Sequence, residues 1–333
     1  MQGSHAFAGE RETTEARAAL GPVVERPALA IAGLEKSFRS PLTLKRKPVL
    51  RGLDLAVGEG EVFGFLGANG AGKTTTIRCL IGLARPSAGT VRLFGVDPRT
   101  PAVRRRIGYL PENPVFPEHL TPVEVLDLAG SLAGLSGPHR RRRIAELTAT
   151  LKIEGYARTP LRKLSKGMVQ RVGIAQAIVH EPELLILDEP MSGLDPLGRR
   201  DVRDLINDLR ARGRTIFFST HIVPDVEAIC DRVGILNRGR LVAVGRIEEL
   251  TTMRLHAVEV LVRNVPGDLV ARLLDPSDLI EERGPSLRVL VHDPLRLDRL
   301  VVRVLQAGGR IEALERHRER LEDYFVRTAG EDA

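Results

Sequence analysis

Short apolar runs alternate with longer stretches of helical periodicity through most of the chain. Leu184–Leu187 is a continuous apolar run that ends in Asp188 and Glu189. Such a run fits a strand buried on both faces of a parallel sheet. Glu61–Leu66 reads as a strand entering a Gly-rich turn, and Thr75–Leu83 as the helix leaving it. Leu29–Gly33 and Val49–Leu55 are strand-like and flank a basic loop, Arg39–Lys47; Gly89–Phe94 and Arg106–Leu110 are further strands. From about Glu118 to Arg162 the pattern is helical. Thr121, Pro122 and Glu124 form a helix start, with Thr as N-cap, Pro at the first position and Glu closing a capping box. His139–Leu151 reads as a second helix with Arg140–Arg143 on its solvated side, and Gly167–His180 as a short third one. A helix (Gly198–Arg212), a strand (Thr215–Ser219), a helix (Pro224–Cys230) and a hairpin (Val233–Ala243, turning at Asn237-Arg238-Gly239) follow. Strands alternating with helices predict an α/β fold carrying a helical insertion.

After about Leu250 the style changes. Ala257–Val262 alternates, Gly267–Leu274 is helical, and Leu279–Glu282 with Leu287–Val291 suggest a hairpin around Gly284-Pro285. A helix (Pro294–Gln306), a Gly308-Gly309 stop, a strand (Ile311–Leu314) and a terminal helix through Leu321 and Phe325 complete the chain. The order βαββαβ is the split-βαβ, ferredoxin-like arrangement. Three parts result: a mobile extension (1–27), a nucleotide-binding unit (28–250, insertion about 113–165) and a small α+β domain (251–333). The last reads as regulatory or dimerising, or as a plain structural extension.

Composition sharpens this only in places. Of 333 residues 43% are hydrophobic, ample for a core, but Trp is absent and aromatics are 4%, so Leu, Val, Ile and Ala must fill it. The net charge of +7 suits nucleic acid or an anionic membrane surface, but a soluble Arg-rich surface is the favoured account, by roughly two to one. No apolar run approaches 18 residues, so no transmembrane helix is expected, and the N-terminus lacks the apolar stretch of a signal peptide. Cys79 and Cys230 stand in no metal or redox spacing and read as buried thiols in a reducing compartment.

The candidate chemistry centres on Gly67-Ala68-Asn69-Gly70-Ala71-Gly72-Lys73-Thr74, which matches G-x-x-x-x-G-K-[ST] at every fixed position. Glycines let the backbone curl so that several N–H groups converge on phosphate oxygens. Lys73 supplies positive charge, the Thr74 hydroxyl suits Mg²⁺, and the following helix presents its N-terminus to the anion. A chance match in a chain this long has odds on the order of 1%. Elsewhere, acids ending a strand (Asp188, Glu189) can steady Mg²⁺ and polarise water, or simply cap the strand. Ser165 and Gly167 in Leu164–Arg171 can form an anion site at a helix start, or an N-cap. Ser192-Gly193-Leu194-Asp195 follows the acids. His221 stands just past a strand, at the sheet edge where ligands of such folds bind.

In this order the motifs resemble the nucleotide-binding subunit of ABC transporters, over about Leu29–Leu250. The resemblance implies a P-loop NTPase fold: a RecA-like core, an antiparallel β subdomain and a helical insertion. It makes Gly67–Thr74, with Thr75, the Walker A loop and Asp188-Glu189 the end of Walker B. Ser165, Lys166 and Gly167 become the signature that caps ATP held by the other subunit of a head-to-tail dimer. Ser192, Gly193, Leu194 and Asp195 become the D-loop, His221 the switch histidine, and Phe38 the aromatic that stacks on adenine. Two departures stand out. The usual Ser-Gly-Gly-Gln is Ser165-Lys166-Gly167-Met168, and Glu112 replaces the Q-loop Gln. Glu112 can still face Mg²⁺ through oxygen but cannot donate an amide hydrogen bond.

With the appended domain, these variants resemble ATPases of bacterial multidrug, antibiotic, polysaccharide, lipid and sodium exporters. The resemblance therefore implies Mg²⁺-dependent ATP hydrolysis, with Lys73, Glu189 and His221 catalytic and Thr74, Asp188 and Glu112 at the metal. It implies a separately encoded multi-span permease, pairing with a second copy or a related ATPase subunit, and a peripheral place on the cytoplasmic face of the membrane. The groove around Glu112–Pro117 and the insertion would receive the permease's cytoplasmic helices. The alternative class is a soluble ATPase of the same superfamily acting on nucleic acid or ribosomes. Such proteins resemble tandem domains or domains split by a coiled coil; this chain has one Walker A and no sustained heptads.

Overall fold

The computed structural model describes residues 26–39, 45–252, 255–274, 278–283, 286–291, 293–318 and 321. It divides into two compact units, with the boundary between Ile247 and Glu248.

The first unit is built on three layers of chain. Strands β1 (Pro27–Arg39), β2 (Arg46–Gly58) and β4 (Ala88–Leu93) form an antiparallel sheet in the order β2-β1-β4. Strands β3 (Val62–Gly67), β5 (Ile107–Leu110), β6 (Leu184–Asp188), β7 (Thr215–Thr220), β8 (Arg232–Asn237) and β9 (Arg240–Arg246) form a second sheet in the order β5-β6-β7-β3-β8-β9. Its neighbours pair in parallel except β8 with β9, which form the hairpin at Asn237–Gly239. Every residue of β3, β6 and β7 is buried, as continuous apolar runs require when helices cover both faces. Phe63 and Phe217 stack with ring centroids 5.8 Å apart, and Phe65 lies against the same Phe217. Helix α1 (Lys73–Leu80) sits between the sheets. Leu29, Leu53 and Leu93 of the first sheet share one core with Ile77 and Leu80 of α1 and Phe65, Ile186 and Phe217 of the second.

A one-turn helix α2 (Pro101–Arg104) precedes β5. The insertion follows: α3 (Pro122–Leu132), α4 (Gly137–Thr150) and short 3₁₀ turns, leading to α5 (Lys166–Ile178). The capping box at the start of α3 forms: Glu124 N donates to Thr121 Oγ1 at 3.4 Å and Thr121 N to Glu124 Oε2 at 2.7 Å. Arg140–Arg143 do not all lie on a solvated side. Arg143 is buried, donating to Ile178 O at 3.2 Å and pairing with Glu146 at 2.8 Å. Arg140 is tied to Asp127 and to Leu135 O. The 3.6-residue period places positions 140, 143, 144 and 147 on one face, and Arg143, Ile144 and Leu147 are all buried. Helices α6 (Pro196–Ala211) and α7 (Val223–Ile229) flank β7, and α8 (Ile247–Thr252) starts at the boundary and belongs to the second unit from Glu248 on.

In the second unit β10 (Leu255–Arg263), α9 (Gly267–Ala271), β11 (Leu279–Arg283), β12 (Ser286–Val291), α10 (Pro294–Gln306) and β13 (Arg310–Arg318) build an antiparallel sheet ordered β11-β12-β10-β13. Val258, Val260, Val262, Val289 and Val291 pack with Val270, Leu300 and Val304 of the helices. α9 stops at Ala271, short of the expected Leu274. β13 runs on to Arg318, past the expected Leu314, because its pairing with β10 continues to Leu255. The hairpin tip at Gly284-Pro285, the terminal helix beyond Leu321 and the extension up to residue 25 lie outside the described residues; Pro27 already belongs to β1.

Candidate active site

The carboxyl ends of β3, β6 and β7 converge on one cleft of about 480 Å³. β3 delivers the Gly-rich loop. Gly72 takes φ 115 at the N-cap of α1, and a Cβ there would lie 2.8 Å from Leu50 Cδ2, so glycine is required both for conformation and for space. Ala71 N donates to Ala68 O at 3.1 Å and Gly239 N to Ala71 O at 2.9 Å, which closes the loop on the β8–β9 hairpin. The first turn of α1 contains no acid, so its positive end is not offset by a side chain. Lys73 is buried; its ammonium donates to Gly67 O at 2.6 Å and lies 3.2 Å from Glu189 Oε1.

β6 delivers the two acids. Ser219 of β7 donates its hydroxyl to Asp188 Oδ1 at 2.5 Å. Burial pushes the Asp188 carboxyl above the usual carboxylate range; the Ser219 and Thr74 hydroxyls oppose that shift, while the nearby Glu112 and Glu189 add to it. Asp188 Oδ2 is buried and has no hydrogen-bond partner among the described residues. A buried carboxylate oxygen left without a donor, beside a threonine hydroxyl, fits a hard cation. No cluster of three or more His, Cys, Asp or Glu that could hold a metal occurs among the described residues. A carboxylate oxygen beside a threonine hydroxyl suits Mg²⁺, which takes one or two protein ligands and completes its shell with water and phosphate.

Glu189 sits at φ 49, in the left-handed region, a conformation that costs of order 1–3 kcal/mol for such a residue. The surroundings fix it there. Its N–H donates to Ser219 O at 3.1 Å and Ser219 Oγ at 3.2 Å, and its carbonyl accepts from Ser192 N at 3.0 Å. The turn aims the carboxylate at His221, whose Nδ1 is 3.0 Å from both oxygens. Glu112 and Ser192 line the same cleft, together with Ala68, Asn69, Gly70, Gly72, Thr74 and Thr75.

A Walker-type loop, paired acids and a sheet-edge histidine thus share one cleft, and relatives of the chain are known. Residues 50–192 match the family model described as ABC transporter. An uncharacterized ABC transporter ATP-binding protein of Nostoc sp. is 41% identical over 300 residues, covering 88% of this chain and 87% of that one. The chain belongs to the ABC transporter ATP-binding proteins. The Nod factor export ATP-binding protein I of Ralstonia nicotianae is 33% identical over 316 residues, 92% of this chain and 95% of its own. A solved ATP-binding subunit of an ABC transporter aligns with TM-score 0.61 and 36% identity, covering 67% of this chain and 91% of that one.

Not every residue expected at the site of this ABC ATPase lies in the cleft. Phe38 does not line it; the ring is 44% exposed near the outer end of β1, with Lys36 Nζ 5.1 Å from its centroid. Ser165, Lys166 and Gly167 also lie off the cleft, at the start of α5, where Ser165 Oγ accepts from Met168 N at 3.3 Å. A Cβ on Gly167 would lie 3.2 Å from Gly193 O, so this helix start packs closely on the 192–195 turn. In that turn Leu194 is buried and Asp195 caps α6 by accepting from Gly198 N at 2.9 Å. Two residues had no reading from the sequence. Ser219 orients Asp188, and the fully buried Gln170 donates to Pro190 O at 3.1 Å and Glu189 O at 3.4 Å. The available signal was a polar residue inside an otherwise apolar helix face and strand end.

Proposed function

We propose that this ATPase subunit works as one half of a head-to-tail pair that hydrolyses Mg·ATP to drive export through a separate multi-span permease. The observation that carries the reading is the convergence of Lys73, Asp188, Glu189 and His221 at the carboxyl edge of one sheet. The loop amides and Lys73 bind the β- and γ-phosphates. Thr74 and Asp188, with Glu112 facing the same cleft, hold Mg²⁺, which when bound spreads the charge of the phosphate oxygens. Glu189 accepts the proton of the attacking water as its oxygen bonds to the γ-phosphorus and the bond to ADP breaks. His221, braced against Glu189, donates toward the γ-phosphate oxygens.

Ser165 and Gly167 lie off the cleft of their own chain, which supports the reading that they cap the nucleotide of the second copy. Among the described residues no helix is long and apolar enough to cross a membrane, which supports the reading that another chain forms the path for cargo. Exposed apolar side chains at Val115, Leu128 and Leu132 around the insertion support docking of the permease there, on the cytoplasmic face. The relative named for Nod factor export supports the outward direction. A role on nucleic acid or ribosomes has no support from the relatives, which are named for transport. In the second unit, the separate valine core supports a small accessory domain that packs on its own.

The test is a pair of variants. Glu189→Gln with ATP should elute as a dimer on size exclusion, and Glu189→Gln with Ser165→Arg as a monomer. Dimer persisting in the double variant would remove Ser165 from the shared interface.

A further inference from the structure

Gln170 lies five residues into the helix that begins at Ser165, about 7 Å along its axis, and is completely buried. Only half of its amide is used. Nε2 donates to two successive carbonyls, Pro190 O at 3.1 Å and Glu189 O at 3.4 Å, while Oε1 has no partner among the described residues. A leucine or methionine would fill the same space without stranding a buried acceptor, so packing alone is a poor account of this side chain. The two carbonyls belong to the turn that holds Glu189 at φ 49. Residue 190 is a proline and brings no N–H to that turn. Within the turn Ser192 N bonds Glu189 O, and only Gln170 reaches Pro190 O among the hydrogen bonds of the described residues.

We infer that Gln170 is a positioning residue: its amide braces the Glu189-Pro190 turn and thereby sets the aim of the Glu189 carboxylate. Because Gln170 rides on the helix whose first turn carries Ser165 and Gly167, that helix ties the signature end of the chain to its own catalytic acid. The inference rests on the reading of Glu189 as the group that accepts the proton from water.

Steady-state and single-turnover ATPase of Gln170→Met, Glu189→Gln and the double variant test it, with nucleotide affinity and thermal melting measured alongside. Gln170→Met keeps the volume and removes the donor. Its kcat should fall tenfold to about a hundredfold, the scale of a misaimed catalytic group, with KM and ATP affinity held within about twofold. The double variant should be no slower than Glu189→Gln alone, since the brace acts only through that carboxylate. Gln170→Asn, which keeps the amide but draws it back, should fall between Gln170→Met and the native chain, and serves if Gln170→Met does not fold. Normal kcat in Gln170→Met and Gln170→Asn beside an inactive Glu189→Gln overturns the inference alone. So does a further loss in the double variant, or a kcat loss matched by loss of ATP affinity. Normal turnover in Glu189→Gln overturns the reading of Glu189 and the inference with it.

Discussion

The two sheets that anchor the two units treat their polar residues in opposite ways. In the six-stranded sheet β3, β6 and β7 are buried along their whole length, so polar side chains collect where the strands end. Asp188, Ser219 and the loop after Gly67 all stand at that carboxyl edge, within reach of one another. In the four-stranded sheet of the second unit, one face packs against helices and the other carries ion pairs along the strands. Arg288 holds Glu259 and Glu281, and Arg263 holds Glu312. Charges spread along an open face neutralise each other pairwise. Charges pushed to the end of a buried sheet meet backbone dipoles and a helix N-terminus, and there they can act on a ligand.

The largest effects should come from the carboxyl edge. Glu189→Gln should retain ATP binding and lose about 10²-fold or more in turnover, read by steady-state phosphate release. Chelating Mg²⁺ should likewise bring turnover to background and restore it on adding the ion back; turnover in excess chelator would break the assignment of Thr74 and Asp188. Next in size is a core change in the other unit. Leu300→Ala removes a fully buried side chain and should cost ~2–5 kcal/mol of that unit's stability. Its kcat below the melting transition should stay unchanged; a parallel fall would mean that the second unit controls the first.

The smallest effect concerns Asp201, which accepts from Lys152 at 2.7 Å, forms an ion pair with Arg171 at 3.0 Å and joins the end of the insertion to α5 and α6. The Lys152 hydrogen bond holds its carboxyl below the usual range; burial, next in size, opposes it, and Arg171 adds to the lowering. A lowered folded pKa stabilises the ionised form, so this contribution is present above about pH 4 and fades as pH falls through the folded value. Asp201→Asn should cost no more than ~1 kcal/mol at neutral pH. The difference between the two chains in denaturant midpoint should shrink below about pH 4. A constant difference across that range would assign the effect to packing.

Much of the candidate site was legible before folding because its parts are local. A glycine run between a strand and a helix, or an acid pair after an apolar run, carries its geometry in a few neighbouring residues. The alternation of strands and helices likewise dictated a layered α/β unit, and the switch to βαββαβ marked a second one. Long-range packing decided the rest. Arg143 reads as solvated by charge, but its helix face and the Ile178 carbonyl bury it. Gln170 reads as one polar residue in a helix, and becomes a brace only when that helix crosses the turn after β6. Phe38 carries the expected residue type without lining the cleft. Local propensity sets which backbone each segment adopts. The partner of a side chain 20 to 100 residues away depends on how strands order in the sheet, which short-range pattern does not encode.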